Sequence, residues 1–228
     1  MPTSAPSVLP FSHKQEGDSY ITPEEVVDNL RKIGAVTVSP DSPFVWTSGR
    51  KAPIYCDNRL VLGYPDLRRR IAQGLVRLAI NNCDGVDVVA GTATAGIAHA
   101  AWMADIMNLP MIYVRSAPKA HGKGKRIEGV IKKGQRVVIV EDHISTGGSV
   151  VDAAEAIEEA GAVPICVVAI FTYGFDLAHT NFADAECPYI TLTDYDTMLT
   201  QALDNNLISE DELASLRQWR IAPTEWRK

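Results

Sequence analysis

The sequence predicts an α/β fold: a central, mostly parallel sheet flanked by helices. Three observations predict it. Short apolar runs at residues 86–90, 136–140 and 164–171 have strand length and lack the alternation of a half-solvated sheet, so both of their faces are buried. The first two of these runs lead through a turn of small residues into apolar residues at helical spacing. Repeated strand–turn–helix order winds a parallel sheet with helices on both sides.

The elements follow in order. Residues 1–21 carry Pro, Ser and charges without the apolar stretch of a secretory signal, and are expected to form an arm. Residues 22–228 are expected to form one domain, with a small N-terminal layer over about 22–60 and a core over about 61–228. Thr22 is placed to cap a helix, with Pro23 at its first position and Glu25 closing a capping box. Val26, Val27, Leu30 and Ile33 face inward, and Gly34 ends it. Residues 35–55 are strand and turn material: Val36 and Val38 alternate, Pro40-Asp41-Ser42-Pro43 turns, and Phe44-Val45-Trp46 precedes Ser48-Gly49. Tyr64-Pro65-Asp66 opens a second helix carrying Leu67, Ile71, Leu75 and Leu78. A strand over 86–90 leads through a Gly/Thr/Ala turn (91–96) into a helix to about 107. A strand over 111–114 precedes a polar basic loop over 115–126. The strand over 136–140 leads through the turn 145–149 into a helix with Val150, Val151, Ala154 and Ile157 inward, ended by Gly161. Strands over 164–171 and 189–192 follow, and the last helix has a capping box at Ser209 and Glu212 with Leu213 and Leu216 on one face.

Charge and cysteine usage exclude several classes. The chain has 228 residues and a net charge of −6, a poor balance for a general nucleic-acid binder. Residues 115–136 hold eight basic residues against one acid, Glu128, and no aromatic residue for stacking on bases. That local charge of +7 points to a small anionic ligand. No run of about 18 apolar residues is present, so no membrane helix is expected. Cys56, Cys83, Cys166 and Cys187 lie far apart without metal spacing, and are expected to be reduced, mostly buried thiols of a cytoplasmic protein.

The sharpest signal is the run 137–149. Four apolar residues are expected to bring a strand to its carboxyl end; Glu141 and Asp142 follow, then His143, Ile144 and the turn Ser145-Thr146-Gly147-Gly148-Ser149, which opens a helix. Ligands of open α/β sheets bind beyond the carboxyl ends of strands. Gly147 and Gly148 let backbone N–H groups converge on an anion, the helix N-terminus adds partial positive charge, and Ser145, Thr146 and Ser149 add hydroxyls. The two acids would repel a phosphate and suit hydroxyl groups or a metal on the same ligand, as a ribose 5-phosphate unit offers. The turn Gly91-Thr92-Ala93-Thr94-Ala95-Gly96 fits either a second anion site or a tight strand-to-helix turn. Gln135 stands where a P-loop would need lysine, and Gly122-Lys123-Gly124 lacks the third glycine of a dinucleotide fingerprint.

Run 141–149 resembles the phosphoribosyl-diphosphate (PRPP) motif of type I phosphoribosyltransferases. Two further stretches resemble the orotate branch: Tyr113-Val114-Arg115-Ser116-Ala117-Pro118-Lys119-Ala120-His121-Gly122 with Ile127-Glu128-Gly129 is similar to its flexible catalytic loop, and Phe44-Val45-Trp46-Thr47-Ser48-Gly49-Arg50-Lys51-Ala52-Pro53-Ile54-Tyr55-Cys56-Asp57 to the N-terminal hood that helps cover the base. The resemblance runs from about residue 22 to 173. Ser116, Thr47, Ala95 and Thr172-Tyr173 depart from basic residues found in many or some members. The resemblance implies the type I fold and transfer of phosphoribose from PRPP to orotate, giving orotidine 5′-monophosphate and pyrophosphate in UMP synthesis. It implies Mg²⁺ held through PRPP and water rather than by a protein cage, and a homodimer in which loop 115–126 reaches the partner's site. By the same resemblance Arg115, Lys119 and His121 are catalytic and bind PRPP, together with Glu141, Asp142, His143, Ile144, Ser145, Thr146, Gly147, Gly148 and Ser149. Ser145 also lies near the orotate ring. His143 sits at a variable position of the motif and has no chemical role of its own; Lys123, Lys125 and Arg126 also fit a solvated flank. His99, Trp46 and Trp102 are expected to be structural. A phosphoribosyltransferase for another base would keep the PRPP run without the loop and hood matches. A PRPP-sensing regulator would add a DNA-binding helix pair or lose the loop bases.

Overall fold

The computed structural model describes residues 20–45, 49, 51–117 and 126–226. A six-stranded sheet carries the architecture: β5 (Val88–Thr92), β6 (Met111–Val114), β7 (Ile127–Glu128), β8 (Arg136–Ile144), β9 (Val163–Thr172) and β10 (Tyr189–Asp194), in the order β10-β9-β8-β5-β6-β7. All neighbours are parallel except β7, which runs antiparallel to β6. The N-terminal hood pairs β1 (Val36–Val38) with β4 (Ile54–Cys56), and β2 (Phe44–Val45) with β3 (Lys51–Ala52), both antiparallel.

Both faces of the sheet are covered, which is why its strands are apolar without alternation. Val138 and Val140 of β8 and Cys166, Val168 and Ile170 of β9 enter one core, with α1 (Pro23–Lys32), α2 (Pro65–Asn82), α3 (Gly96–Met107), α6 (Tyr195–Asp204) and α7 (Glu210–Ile221). Val137, Ile139, Val167 and Ala169 enter the other, under α4 (Gly148–Glu159) and α5 (Asp176–Asp184). Helix α3 follows β5 onto the first face and α4 follows β8 onto the second. The winding therefore reverses between β5 and β8, and a crevice opens there at their carboxyl ends.

Several expectations hold. Thr22 and Ser209 cap α1 and α7 through complete capping boxes. Val26, Val27 and Leu30 are buried, as are Leu67, Ile71 and Leu75, while Ile33, Leu78 and Val151 are half-buried. Others need correction. The strand expected over 86–90 is shifted to Val88–Thr92, because its ladders run against Val137–Val140 on one side and Met111–Val114 on the other. The strand expected to stop at Val140 continues to Ile144, since β9 pairs with it as far as Thr172. The acids thus lie within a strand, not after one. Three elements were not anticipated. Strand β7 has only two residues; α5 buries only Ala178 and Phe182; α6 is capped by Asp194, which accepts from the Thr197 N–H at 2.8 Å.

Candidate active site

The site is assembled where β8 outruns β5. The β5–β8 ladder ends at Gly91 and Val140. Beyond it, Glu141 and Asp142 remain within the strand, with Glu141 paired to Ala169 of β9 and 9% and 6% of their surfaces exposed. The Asp142 N–H donates to Glu141 Oε1 at 2.9 Å, and His143 Nδ1 lies 3.0 Å from Asp142 Oδ2. Burial, with the neighbouring Asp142, pushes the Glu141 carboxyl up to about 8. Burial acts on Asp142 in the same sense, but hydrogen bonding and charge from His143 outweigh it and hold Asp142 below its usual value. Against its own burial, His143 is raised by the same partner. At neutral pH Glu141 is therefore protonated and Asp142 anionic, while Asp142 favours the protonated form of His143. His143, a position without an expected chemical role, thus favours the charged form of Asp142.

The turn after β8 is open to a ligand. Ser145 and Thr146 are half-buried, and Gly148 and Ser149 are exposed at the start of α4, where the first N–H groups of a helix have no preceding turn to bond to, while the Val150 and Val151 N–H groups bond to the Gly147 carbonyl. Gly147 takes φ +79°, and a Cβ there would come within 2.6 Å of the Phe182 ring. At Gly148 a Cβ would meet nothing within 4 Å. Asn181 of α5 donates to the Thr146 carbonyl at 2.8 Å and steadies the turn. Ile144 is 1% exposed and packs under α4, and its carbonyl is taken by the Tyr173 N–H and the Thr172 hydroxyl. Its side chain faces the core rather than the surface.

On the β5 side, the turn 92–96 lies against the end of β8. The Thr92 hydroxyl donates to the Val140 carbonyl at 3.1 Å, and Gly96 sits so close that a Cβ would fall 2.3 Å from that oxygen. The tight-turn reading of this segment holds; it also faces the crevice. Next outward, β6 and β7 form the root of the basic loop. The Arg115 N–H donates to the Arg126 carbonyl at 2.9 Å, and Arg126 Nε returns a bond to the Arg115 carbonyl at 3.1 Å. Arg115 also pairs with Glu128 at 3.6 Å. Lys119, His121, Lys123 and Lys125 lie outside the described residues, as do Trp46, Thr47, Ser48 and Arg50 of the hood.

On the β9 side there is a cavity of about 580 Å³ lined by Lys51, Ser145, Thr146, Phe175, Trp219 and Arg220, among others. Its aromatic wall continues inward through Tyr173, stacked on Phe175 at 5.5 Å between ring centres. Nothing in the local pattern around Trp219, Arg220 or Asn181 marks them as neighbours of the site, and nor does the residue type of Asn58. They come from distant segments, and only Asn58, beside the quoted hood stretch, had a nearby signal. His99 is fully buried, edge-on to Trp102 at 5.6 Å, and burial lowers it to about 4, so it stays neutral. Trp102 is half-buried with the Arg68 guanidinium 5.0 Å above its ring. Of the four cysteines, all free, three are buried and Cys56 is half-buried. No helix among the described residues is long and apolar enough to cross a membrane.

Comparison with known proteins identifies the arrangement. The phosphoribosyl transferase domain family matches residues 66–198. The orotate phosphoribosyltransferase of Bacillus pumilus is 52% identical over 200 residues, covering 88% of this chain and 94% of the relative. The crystal structure of the Aeropyrum pernix orotate phosphoribosyltransferase is similar with a TM-score of 0.67 and 28% identity, covering 77% of this chain and 97% of that one. The Leishmania donovani UMP synthase structure is similar with a TM-score of 0.71 and 27% identity, over 86% of this chain but only 42% of that one. The sheet, its overlong acid-bearing strand and the matches over most of the sequence agree: the chain belongs to the orotate phosphoribosyltransferase family.

Proposed function

We propose that the chain transfers the 5-phosphoribosyl group of PRPP to orotate, giving orotidine 5′-monophosphate and pyrophosphate, in the pyrimidine route to UMP. The observation that carries this reading is the placement of the acids of β8 between an open phosphate turn on one side and the root of a basic loop on the other. Turn 145–149 takes the 5′-phosphate, and Glu141 and Asp142 take the ribose hydroxyls. The diphosphate then lies toward β5 and β6, where Arg115, Lys119 and His121 meet the charge gathered by the leaving group. PRPP enters as its magnesium complex, since that ion prefers phosphate, hydroxyl and water oxygens, and hard carboxylate oxygens stand beside the ribose. The orotate N1 bonds to C1′ as the C1′–O bond breaks; the electron pair leaves with pyrophosphate, and the N1 proton passes to pyrophosphate or water. Inversion at C1′ requires the base to arrive from the side opposite the diphosphate. That side holds the 580 Å³ cavity, with Phe175 and Trp219 as an apolar wall and Lys51 and Arg220 as cations for a carboxylate.

Loss of orotate absorbance on adding PRPP and Mg²⁺ tests the reading, with uracil, hypoxanthine and adenine run in parallel. Turnover of orotate alone is expected, and Lys119→Ala is expected to slow it by about two to three orders of magnitude. Turnover of another base refutes the cavity assignment. Saturable PRPP binding without turnover favours a regulator.

Within the same reading the protein works as a homodimer in the cytoplasm. Tyr55, Leu60, Leu62 and Tyr64 are between 38% and 46% exposed on one short stretch of the hood and its 3-10 turn (Asn58–Gly63), an apolar surface suited to a second copy. Four free thiols suit a reducing compartment. If the loop acts across the interface, mixing Lys119→Ala with Asp142→Asn protomers regenerates one intact site per mixed dimer, up to about a quarter of the wild-type rate. No recovery on mixing means that each loop serves its own subunit.

A further inference from the structure

Strand β8 passes the end of β5 at Val140, so its β5-facing edge has lost its sheet partner where the acids stand. Carbonyls two residues apart on a strand face the same edge. The two exposed in this way belong to Val140 and Asp142, and each is met by a side chain. Thr92 donates to the first at 3.1 Å, and Asn58 Nδ2 donates to the second at 2.9 Å. Asn58 comes from the hood, 84 residues away in sequence, and is fully buried.

Its geometry is that of a strut. Asn58 Oδ1 accepts from Cys56 Sγ at 3.4 Å. Turning the amide over would set its oxygen against the Asp142 carbonyl, so one orientation is fixed. The turn that carries Asn58 is capped by Asp57, whose carboxylate accepts from the Arg59 N–H and pairs with its guanidinium. The Asp57 N–H is itself bonded to the Ala35 carbonyl at 2.7 Å. Seven residues upstream of Asn58 the same segment presents Lys51 to the cavity on the β9 side. One short stretch of hood therefore touches the cavity at one end and holds the backbone of Asp142 at the other.

We propose that Asn58 is a positioning residue that couples the hood to the ribose-binding acids, so that a ligand in the cavity and a ribose phosphate on β8 each tighten the other. The inference rests on the assignment of base and ribose sites made above. A ligand that settles the hood over the cavity fixes Asn58, and Asn58 fixes the extended backbone from which Asp142 projects. By linkage the effect is reciprocal.

Orotate and ribose 5-phosphate test this as a pair, because without a diphosphate leaving group they cannot react. Calorimetric titration of orotate, with and without saturating ribose 5-phosphate, gives the coupling factor. The expected factor for wild type is about tenfold, within the ordinary range for coupled sites. Asn58→Leu keeps the volume and removes the donor, and is expected to bring the factor close to one while leaving each ligand able to bind alone. A merely structural role would weaken both ligands together and leave the factor unchanged. Cys56→Ala frees the amide without deleting it and is expected to lower the factor part of the way, which serves if Asn58→Leu does not fold. A factor of one in wild type, or an unchanged factor in the variants, overturns the proposal. Failure of wild type to bind orotate at all overturns the base-site assignment instead.

Discussion

Asp142→Asn is expected to lower kcat/KM for PRPP by about 10²–10³-fold, the effect of losing about 3–4 kcal/mol of transition-state stabilisation. His143, 3.0 Å away, favours the carboxylate, and the backbone is held by the pairing of Glu141 and His143 to β9 on one edge and by Asn58 on the other. A hydrogen bond to a charged partner is worth about 1.5–3 kcal/mol, and the cationic character that builds on the ribosyl ring as pyrophosphate departs adds to the loss. Glu141→Gln should cost far less, under about tenfold, because a carboxyl raised to about 8 is already neutral at pH 7 and Gln preserves that state. Equal losses in both variants would sink the division of roles. The same shift has a signature in stability. A carboxyl whose folded value lies above its unfolded value holds its proton more tightly when folded, so its contribution is present below about 4.5 and is lost as pH rises through about 8. Thermal unfolding of the ligand-free protein followed between about pH 5 and 9 should show wild type losing stability relative to Glu141→Gln, with no further divergence above the upper value.

Gly96→Ala is expected to be the most damaging single methyl in the crevice. Its Cβ would lie 2.3 Å from the Val140 carbonyl oxygen and 2.6 Å from the Thr92 hydroxyl. Val140 is a central-strand residue paired to β5, so the clash cannot be relieved by turning a side chain. Overpacking of this kind costs about 1–3 kcal/mol, which for a chain of this size is roughly 2–12 °C in Tm. Separating α3 from β8 also pulls the Thr92 hydroxyl away from its acceptor, so kcat/KM should fall by at least about tenfold. Gly148→Ala provides the contrast. It adds its methyl to open space at the start of α4, where replacing glycine favours the helix by about 0.5–1 kcal/mol. Its Tm should hold or rise while PRPP binding weakens, because the methyl occupies the phosphate's approach. A Gly96→Ala protein with wild-type Tm would mean that α3 can slide along the sheet.

Features fixed by nearby residues were the legible ones. The capping boxes of α1 and α7 and the apolar runs of β5, β8 and β9 each depend on side chains within a few positions, and they were found. The end of β8 is not legible locally, because two adjacent acids resemble a strand's end, whereas its extent is set by β9, whose pairing reaches Thr172. Helix α5 carries only two buried residues and no capping side chain, so its pattern is faint. Helix α6 was legible, with Asp194 as cap and Tyr195, Met198, Leu199 and Ala202 on one face, and was passed over. In the site, the turn 145–149 and the acids follow from chain order alone. Asn58 and Trp219 do not, because a buried amide or indole acquires its neighbours only when the chain has folded.

The two faces of the sheet are unequally provided. One core takes up five helices with Trp219, Tyr195, Phe171 and several leucines, while the other, beneath α4 and α5, is made mostly of Val, Ile and Ala with Phe182. Turn 145–149 rests on the lighter side, between the strand that carries the acids and the helix that begins at Gly148. Opening of that side alone costs less than global unfolding, so α4 and α5 are expected to exchange with solvent before the helices of the five-helix face, which amide hydrogen exchange would show. A ligand held by turn 145–149 bridges that unit to the rest of the molecule and acts as its latch, adding its binding free energy to the weakest hinge rather than spreading it through the whole fold.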